Sequence, residues 1–248
     1  SSGSFTNRVE NNTIRTVGSG ASNYGIYLVT NINGNNATGN TISTNGTTLN
    51  HGIIVQTDVS RTTINNNNIT TVGSGIANIG IYLLTRVNDT NITNNIINTS
   101  GTTTNNGIRL EGSSNNTFIL NNTVNSGGSA NNNNAIYLLT KSFRNNVTHN
   151  RLFSRGTNDN YVVYLQNNAD FSVIEYNNIT SNGTSTFGIG ILQTICTGNN
   201  LTNNIIATNG TSSNEGIRVQ TDSNNTVVSG NNISTFGESG SNYGIYLS

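Results

Sequence analysis

Asn12-Thr13-Ile14-Arg15-Thr16-Val17-Gly18 is one copy of a skeleton, Asn-x-aliphatic-x-Thr/Ser-x-Gly, that returns nine times along the chain. The repeated Asn are Asn12, Asn40, Asn67, Asn95, Asn122, Asn150, Asn177, Asn204 and Asn231, spaced 27 or 28 residues apart. Two residues after each stands Ile14, Ile42, Ile69, Ile97, Val124, Leu152, Ile179, Ile206 or Ile233, and each copy closes on a Gly, from Gly18 to Gly237. One supersecondary unit per period of this length predicts a solenoid, in which each unit buries its apolar face only by stacking on its neighbours.

Working outward, a strand starts fifteen residues before each repeated Asn from Asn40 on, as in Gly25-Ile26-Tyr27-Leu28 and Gly80-Ile81-Tyr82-Leu83, and a ninth such strand follows Asn231 at Gly244-Ile245-Tyr246-Leu247. Alternation at period two turns Ile26 and Leu28 inward and Tyr27 outward. This is the first strand of a coil. A second aliphatic column lies three residues before the Asn, at Val9, Ala37, Ile64, Ile92, Ile119, Val147, Ile174, Leu201 and Val228, and the Ile14 to Ile233 column marks the third strand. The expected fold is therefore all-β: a right-handed parallel β-helix of about nine coils and three short strands per coil, spanning 1–248 as a single domain. At ~4.8 Å per coil the rod is roughly 43 Å long.

The Asn column is expected to form a ladder of side-chain amides at one corner, with left-handed backbone at the Asn itself, and the closing Gly to supply positive φ. Counting back fifteen from Asn204 puts Gly190 in the inward column and Ile191 and Gln193 outward. A bulge that restores Gly188-Ile189 to the usual register, with one extra residue before Asn204, is the preferred account.

Ten basic residues balance ten acidic ones with no basic run, so neither nucleic acid nor an anionic membrane is an expected partner. No stretch reaches the roughly 20 apolar residues of a membrane-spanning helix. The chain has no Met, which implies a segment processed from a precursor, with a removed export signal as the simplest account and a secreted or cell-surface location as the expectation.

The pattern Gly-Ile-x-Leu followed by x-Asn-x-Ile-x-Thr resembles the right-handed parallel β-helix repeats of pectate-lyase-like proteins. It is most similar to the Asn-rich kind in NosD-type periplasmic proteins and in archaeal and bacterial cell-surface proteins. The resemblance covers the whole chain and implies the fold. For function it implies a range, from lyases and hydrolases to binding modules and surface stalks.

Enzymes of that kind place acidic groups on the outer face of one sheet, whereas the outward first-strand places here carry one acid, Glu111, beside Arg109. Asp58 and Asp222 hold equivalent places six coils apart, roughly 29 Å, too far for a carboxylate pair that works at about 5 to 9.5 Å. Copper, suggested by the NosD likeness, calls for His, Met or Cys ligands; the chain has two His, no Met and one Cys, and Cys196 falls in the inward column of Ile32, Val59, Val87 and Ala169. No catalytic residue, cofactor or metal is expected.

Two outward features remain as candidate contacts. Tyr27, Tyr82, Tyr137, Tyr164 and Tyr246 line one face, suited to sugar rings or to lateral packing against another rod. Of sixteen Asn-x-Ser/Thr sequons, against about thirteen expected from composition, Asn36, Asn91, Asn146 and Asn200 share one outward register on alternate coils and are candidate glycosylation sites.

The functional expectation is a non-enzymatic, extracellular structural rod: a filament subunit, stalk or adhesin segment, with a carbohydrate-binding β-helix as the alternative. Self-association follows from the termini, because Gly244 would lie sixteen positions from the Asn12 of a following copy, against fifteen inside the chain. Head-to-tail stacking would then propagate.

Overall fold

The computed structural model describes residues 6–192, 195–220 and 222–248. Ser1 to Ser4, Gln193 and Thr194 lie outside the described residues, as does Thr221. Three parallel sheets of nine strands each run the length of a β-solenoid, with no helix among the described residues. The first sheet stacks the first strands from Tyr24–Val29 to Tyr243–Leu247; the second runs from Arg8–Glu10 to Val227–Ser229 and the third from Thr13–Val17 to Asn232–Gly237. Every strand pairs with its counterpart in the adjacent coil, so a repeat in the sequence becomes a register in space: Ile14 with Ile42, Val9 with Ala37, Ile26 with Ile53.

The core is made of the inward columns. Ile53, Ile81, Ile108 and Ile136 from the first sheet meet Ile64, Ile92 and Ile119 from the second and Ile69, Ile97 and Val124 from the third in one apolar cluster, all fully buried. At about 1.5 to 3 kcal/mol for each buried aliphatic side chain, stacking like on like is the main stabilising force. Cys196 packs in the same cluster beside Ala169, and burial pushes its thiol up to about 11.

Three local expectations are corrected. Left-handed backbone sits one residue before the ladder Asn, at Asn11, Gly39, Asn66, Asn94, Asn121, His149, Tyr176, Asn203 and Gly230, so that the ladder residue enters the strand in extended form. The closing Gly of each repeat does not have positive φ. It is Gly for want of space: a Cβ at Gly46 would lie 2.2 Å from Asn23 Nδ2 and 2.5 Å from Asn50 Oδ1. Finally, Ile189 pairs with Val163 and Ile217, and Ile191 with Leu165 and Val219, so Ile191 is a core residue and Gly190 faces outward opposite Tyr164 and Arg218. The usual register is thus restored as the bulge account requires, and the extra residue falls between Leu192, opposite Gln166, and Cys196, packed beside Ala169.

Candidate functional site

The Asn ladder forms along the corner between the second and third sheets. In each coil the main-chain N–H and the side-chain Nδ2 both donate to Oδ1 of the Asn in the next coil, at 2.9 and 3.0 Å from Asn40 to Asn67 and again from Asn204 to Asn231. The other Nδ2 hydrogen goes back to a carbonyl of the second sheet, as from Asn67 to Ala37 O at 2.8 Å and from Asn122 to Ile92 O at 2.9 Å. Asn40 through Asn204 are buried. Each carboxamide is thereby satisfied in a place where an unmet polar group costs about 1 to 3 kcal/mol.

A second Asn ladder, unread in the sequence, lies where each loop enters the first sheet. Nδ2 donates to Oδ1 along Asn23, Asn50, Asn78, Asn105, Asn133 and Asn160 at 2.7 to 3.3 Å. Thr186 interrupts it, leaving Asn160 Nδ2 buried without a partner, and Asn214 to Asn242 resumes it at 2.9 Å. Its signal was an Asn two residues before the start of the first strand, as in Asn23-Tyr24-Gly25 and Asn214-Glu215-Gly216. This is the ladder for which the closing Gly makes room.

The outer face of the first sheet carries the five candidate Tyr, and the structure joins them into one stack through Arg109 and Arg218 of the same column and through Tyr24, His51, Tyr161 and Phe187 of a second one. Tyr27 meets Tyr24 edge-on at 5.6 Å, Tyr24 stacks on His51 at 5.2 Å, and His51 meets Tyr82 at 5.4 Å. The Arg109 guanidinium lies between Tyr82 and Tyr137, at 5.4 and 5.3 Å from the ring centres. Tyr137, Tyr164, Tyr161 and Phe187 follow at 4.9, 4.5 and 4.4 Å. Arg218 then bridges Phe187 and Tyr246, and Tyr246 reaches Tyr243 at 5.3 Å. Ring pairs of this geometry contribute about 0.5 to 1.5 kcal/mol each beyond burial, and cation–π contacts about 0.5 to 1. Gly190 belongs to this stack by its lack of a side chain, because a Cβ there would stand 2.3 Å from the Tyr161 ring.

The chemistry on offer follows from which surfaces remain free. Tyr137 and Tyr164 turn their faces to each other, so an approaching ligand meets ring edges. The hydroxyls are also engaged: Tyr27 donates to Gln56 Oε1 at 2.9 Å, Tyr82 to Glu111 Oε2 at 2.6 Å, and Tyr137 to Gln166 Oε1. Burial, the largest cause, raises the phenol of Tyr137 to about 12 and holds those of Tyr82, Tyr161 and Tyr164 higher still. Glu111 pairs with Arg109 at 2.8 Å. A second acid on this face, Glu215, is buried; burial raises its carboxyl, and Arg218 lies 3.6 Å away. Glu111 and Glu215 are four coils apart, roughly 19 Å, beyond the span of a carboxylate pair. A depression of about 330 Å³ beside Arg109 is lined by Thr104, Asn132, Asn134, Tyr137, Tyr164 and Gln166.

The four candidate glycosylation sites occupy one register of the second sheet, with Thr63, Phe118 and Val173 between them. They differ in access. Asn91 and Asn200 are exposed, whereas Asn36 is half-buried with Nδ2 on Glu10, and Asn146 has a buried Oδ1. Among the described residues no cluster of His, Cys, Asp and Glu suits a metal ion.

No family model matches the chain, and no curated protein matches it by sequence. Among solved structures it is similar to the Dettilon tailspike protein, with TM-score 0.55, 14% identity, 97% of this chain and 61% of that one covered. A fainter likeness, TM-score 0.42 and 14% identity, joins 92% of this chain to 61% of the periplasmic alginate epimerase AlgG. The chain thus spans less than two thirds of either neighbour, and the likeness to the tailspike shows the right-handed parallel β-helix fold.

Proposed function

We propose that this β-solenoid is a structural segment of an exported or cell-surface protein, a stiff rod that sets a distance or joins other rods. The observation that carries the reading is that two Asn ladders and an aromatic–guanidinium stack run along the rod, so that side chains at the corners and on the first sheet are spent on the adjacent coil. Such investment serves rigidity along one axis. The tailspike and periplasmic neighbours support an exposed location outside the cytoplasm.

Within that reading we place end-to-end assembly as filament, stalk or adhesin. Among the described residues, the strands Arg8–Glu10, Thr13–Val17 and Tyr24–Val29 at one end, and Val227–Ser229, Asn232–Gly237 and Tyr243–Leu247 at the other, each pair on one side only. Open parallel edges accept a further coil, of the same chain or of another copy. Electron microscopy and sedimentation of the 248-residue chain test this. Rods of roughly 43 Å that join end to end support assembly; a compact or kinked particle overturns the rod, and free monomers at high concentration overturn the filament.

The depression beside Arg109 favours a second reading, a glycan-binding β-helix, in which Arg109, Gln166 and the Tyr164 edge meet a sugar. Binding on a glycan array that is lost in Arg109→Ala would establish it.

A further inference from the structure

Seven strand residues of the second and third sheets expose a large apolar side chain: Val17, Val72, Ile96, Phe118, Ile205, Val227 and Phe236. Each stands directly opposite a sequon Asn in a neighbouring coil. Asn45 lies between Val17 and Val72, Asn68 beside Ile96, and Phe118 between Asn91 and Asn146. Ile205 lies between Asn178 and Asn232, Val227 beside Asn200, and Phe236 beside Asn209. The register puts their backbones ~4.8 Å apart.

All of these Asn partners except Asn146, which is half-buried, have a second property in common. Asn45, Asn68, Asn91, Asn178, Asn200, Asn209 and Asn232 are exposed, and none of their carboxamides makes a hydrogen bond among the described residues. Two sequons elsewhere on these sheets differ: Asn36 donates to Glu10, and Asn98 accepts from Asn125 at 2.9 Å. Asn182 is exposed as well, but stands opposite Arg155 and Asn209 and has no apolar neighbour of this kind. Exposed apolar residues on an open sheet face invite association. Here each one has a free acceptor amide at its side.

We infer that these seven Asn carry N-linked saccharides and that the apolar neighbours are platforms on which the first sugar of each lies. The co-reactant is a lipid-pyrophosphate-linked saccharide. Nδ2 attacks its anomeric carbon, the C–O bond to pyrophosphate breaks with its electron pair going to the leaving group, and Nδ2 gives up one proton as the C–N bond forms. The transfer takes place on the extended chain during export, before coil stacking fixes the Asn in the sheet. The inference rests on the exported location proposed above.

The test uses the whole chain, exported from a cell that has the transfer machinery. Glycosidase release in ¹⁸O water followed by peptide mass spectrometry should label Asn45, Asn68, Asn91, Asn178, Asn200, Asn209 and Asn232 as ¹⁸O-bearing Asp. Binding of an apolar dye reports the platforms. Trimming each saccharide to its first sugar should leave the signal low, whereas unglycosylated protein carrying Asn→Gln at the seven positions should bind at least twofold more, a gain reduced by Phe118→Ser with Ile205→Ser. Exported protein without label at these positions overturns the sites, and equal dye binding with and without the first sugar overturns the platforms. Micrographs of the same samples separate this from the rod reading, since a straight rod without sugars and a sugar-bearing particle that is no rod are different failures.

Discussion

Asn95 gives two hydrogen bonds to one atom of Asn122: its main-chain N–H at 2.9 Å and its Nδ2 at 3.0 Å both end on Oδ1. Removing that oxygen strands two donors in one coil, and removing the Asn122 amide takes from Oδ1 of Asn150 the donor that reaches it at 3.0 Å, leaving it only the main-chain N–H of residue 122. Asn122→Ala should therefore cost on the order of 1 to 3 kcal/mol. Urea unfolding checks it, and an unchanged midpoint would sink the structural account of the ladder.

The gap in the second ladder predicts a gain. Asn160 Nδ2 has no partner because Thr186 presents its hydroxyl to Asn214 Oδ1 at 2.9 Å and offers no amide oxygen upward. Thr186→Asn should reconnect the two segments and stabilise the chain by about 1 kcal/mol. A lower melting temperature in the variant would mean that the corner cannot hold the longer side chain.

Gly190 and Tyr161 should behave as a coupled pair. Adding a methyl group at Gly190 places it within 2.3 Å of the Tyr161 ring, in the tightest part of the stack. Gly190→Ala should cost about 1 to 3 kcal/mol in the wild-type background. In Tyr161→Ala the same change should cost little, and a double-mutant cycle without coupling would refute the contact.

His51 should make the rod sensitive to acid. Burial between Tyr24 and Tyr82, with Arg109 adding repulsion, lowers its pKa from 6.5 to about 4. The unfolded chain binds the proton first, so this contribution is complete above pH 6.5 and is lost as pH falls toward about 4. The loss amounts to about 3 kcal/mol over that window. His51→Phe, which keeps a ring in the stack, should flatten the fall between pH 6.5 and 4, and an identical acid-unfolding curve would exclude His51 as its source.

The coils were legible because the core repeats in kind: an aliphatic at Ile14, Ile42 and Ile69 recurs where the fold needs the same volume at the same height. Asn12 to Asn231 were readable for the same reason. The outward face was not, since its stack draws on two columns at once. Tyr82 and Tyr137 come from one, His51, Tyr161 and Phe187 from the other, and no single spacing gathers them. Ile191 was misplaced because counting back from Asn204 crosses the one coil with an extra residue. The role of Gly46 and its equivalents is hidden in the sequence because the crowding comes from Asn side chains of two coils, Asn23 of the preceding one and Asn50 of the loop that follows.

Both Asn ladders run in the same sense, each Nδ2 donating to the Oδ1 of the Asn in the coil of higher number. Aligned carboxamides add their dipoles instead of cancelling them, and the rod acquires a direction that its near-identical coils do not otherwise display. The two faces of any coil are therefore electrostatically unlike: one presents Asn oxygens to its neighbour and the other the amide hydrogens that meet them. Joining two such rods by like ends would set oxygen against oxygen or hydrogen against hydrogen. Growth, insertion of a coil and recombination between repeats all inherit this polarity, so that a segment can be duplicated or exchanged along the axis but never reversed.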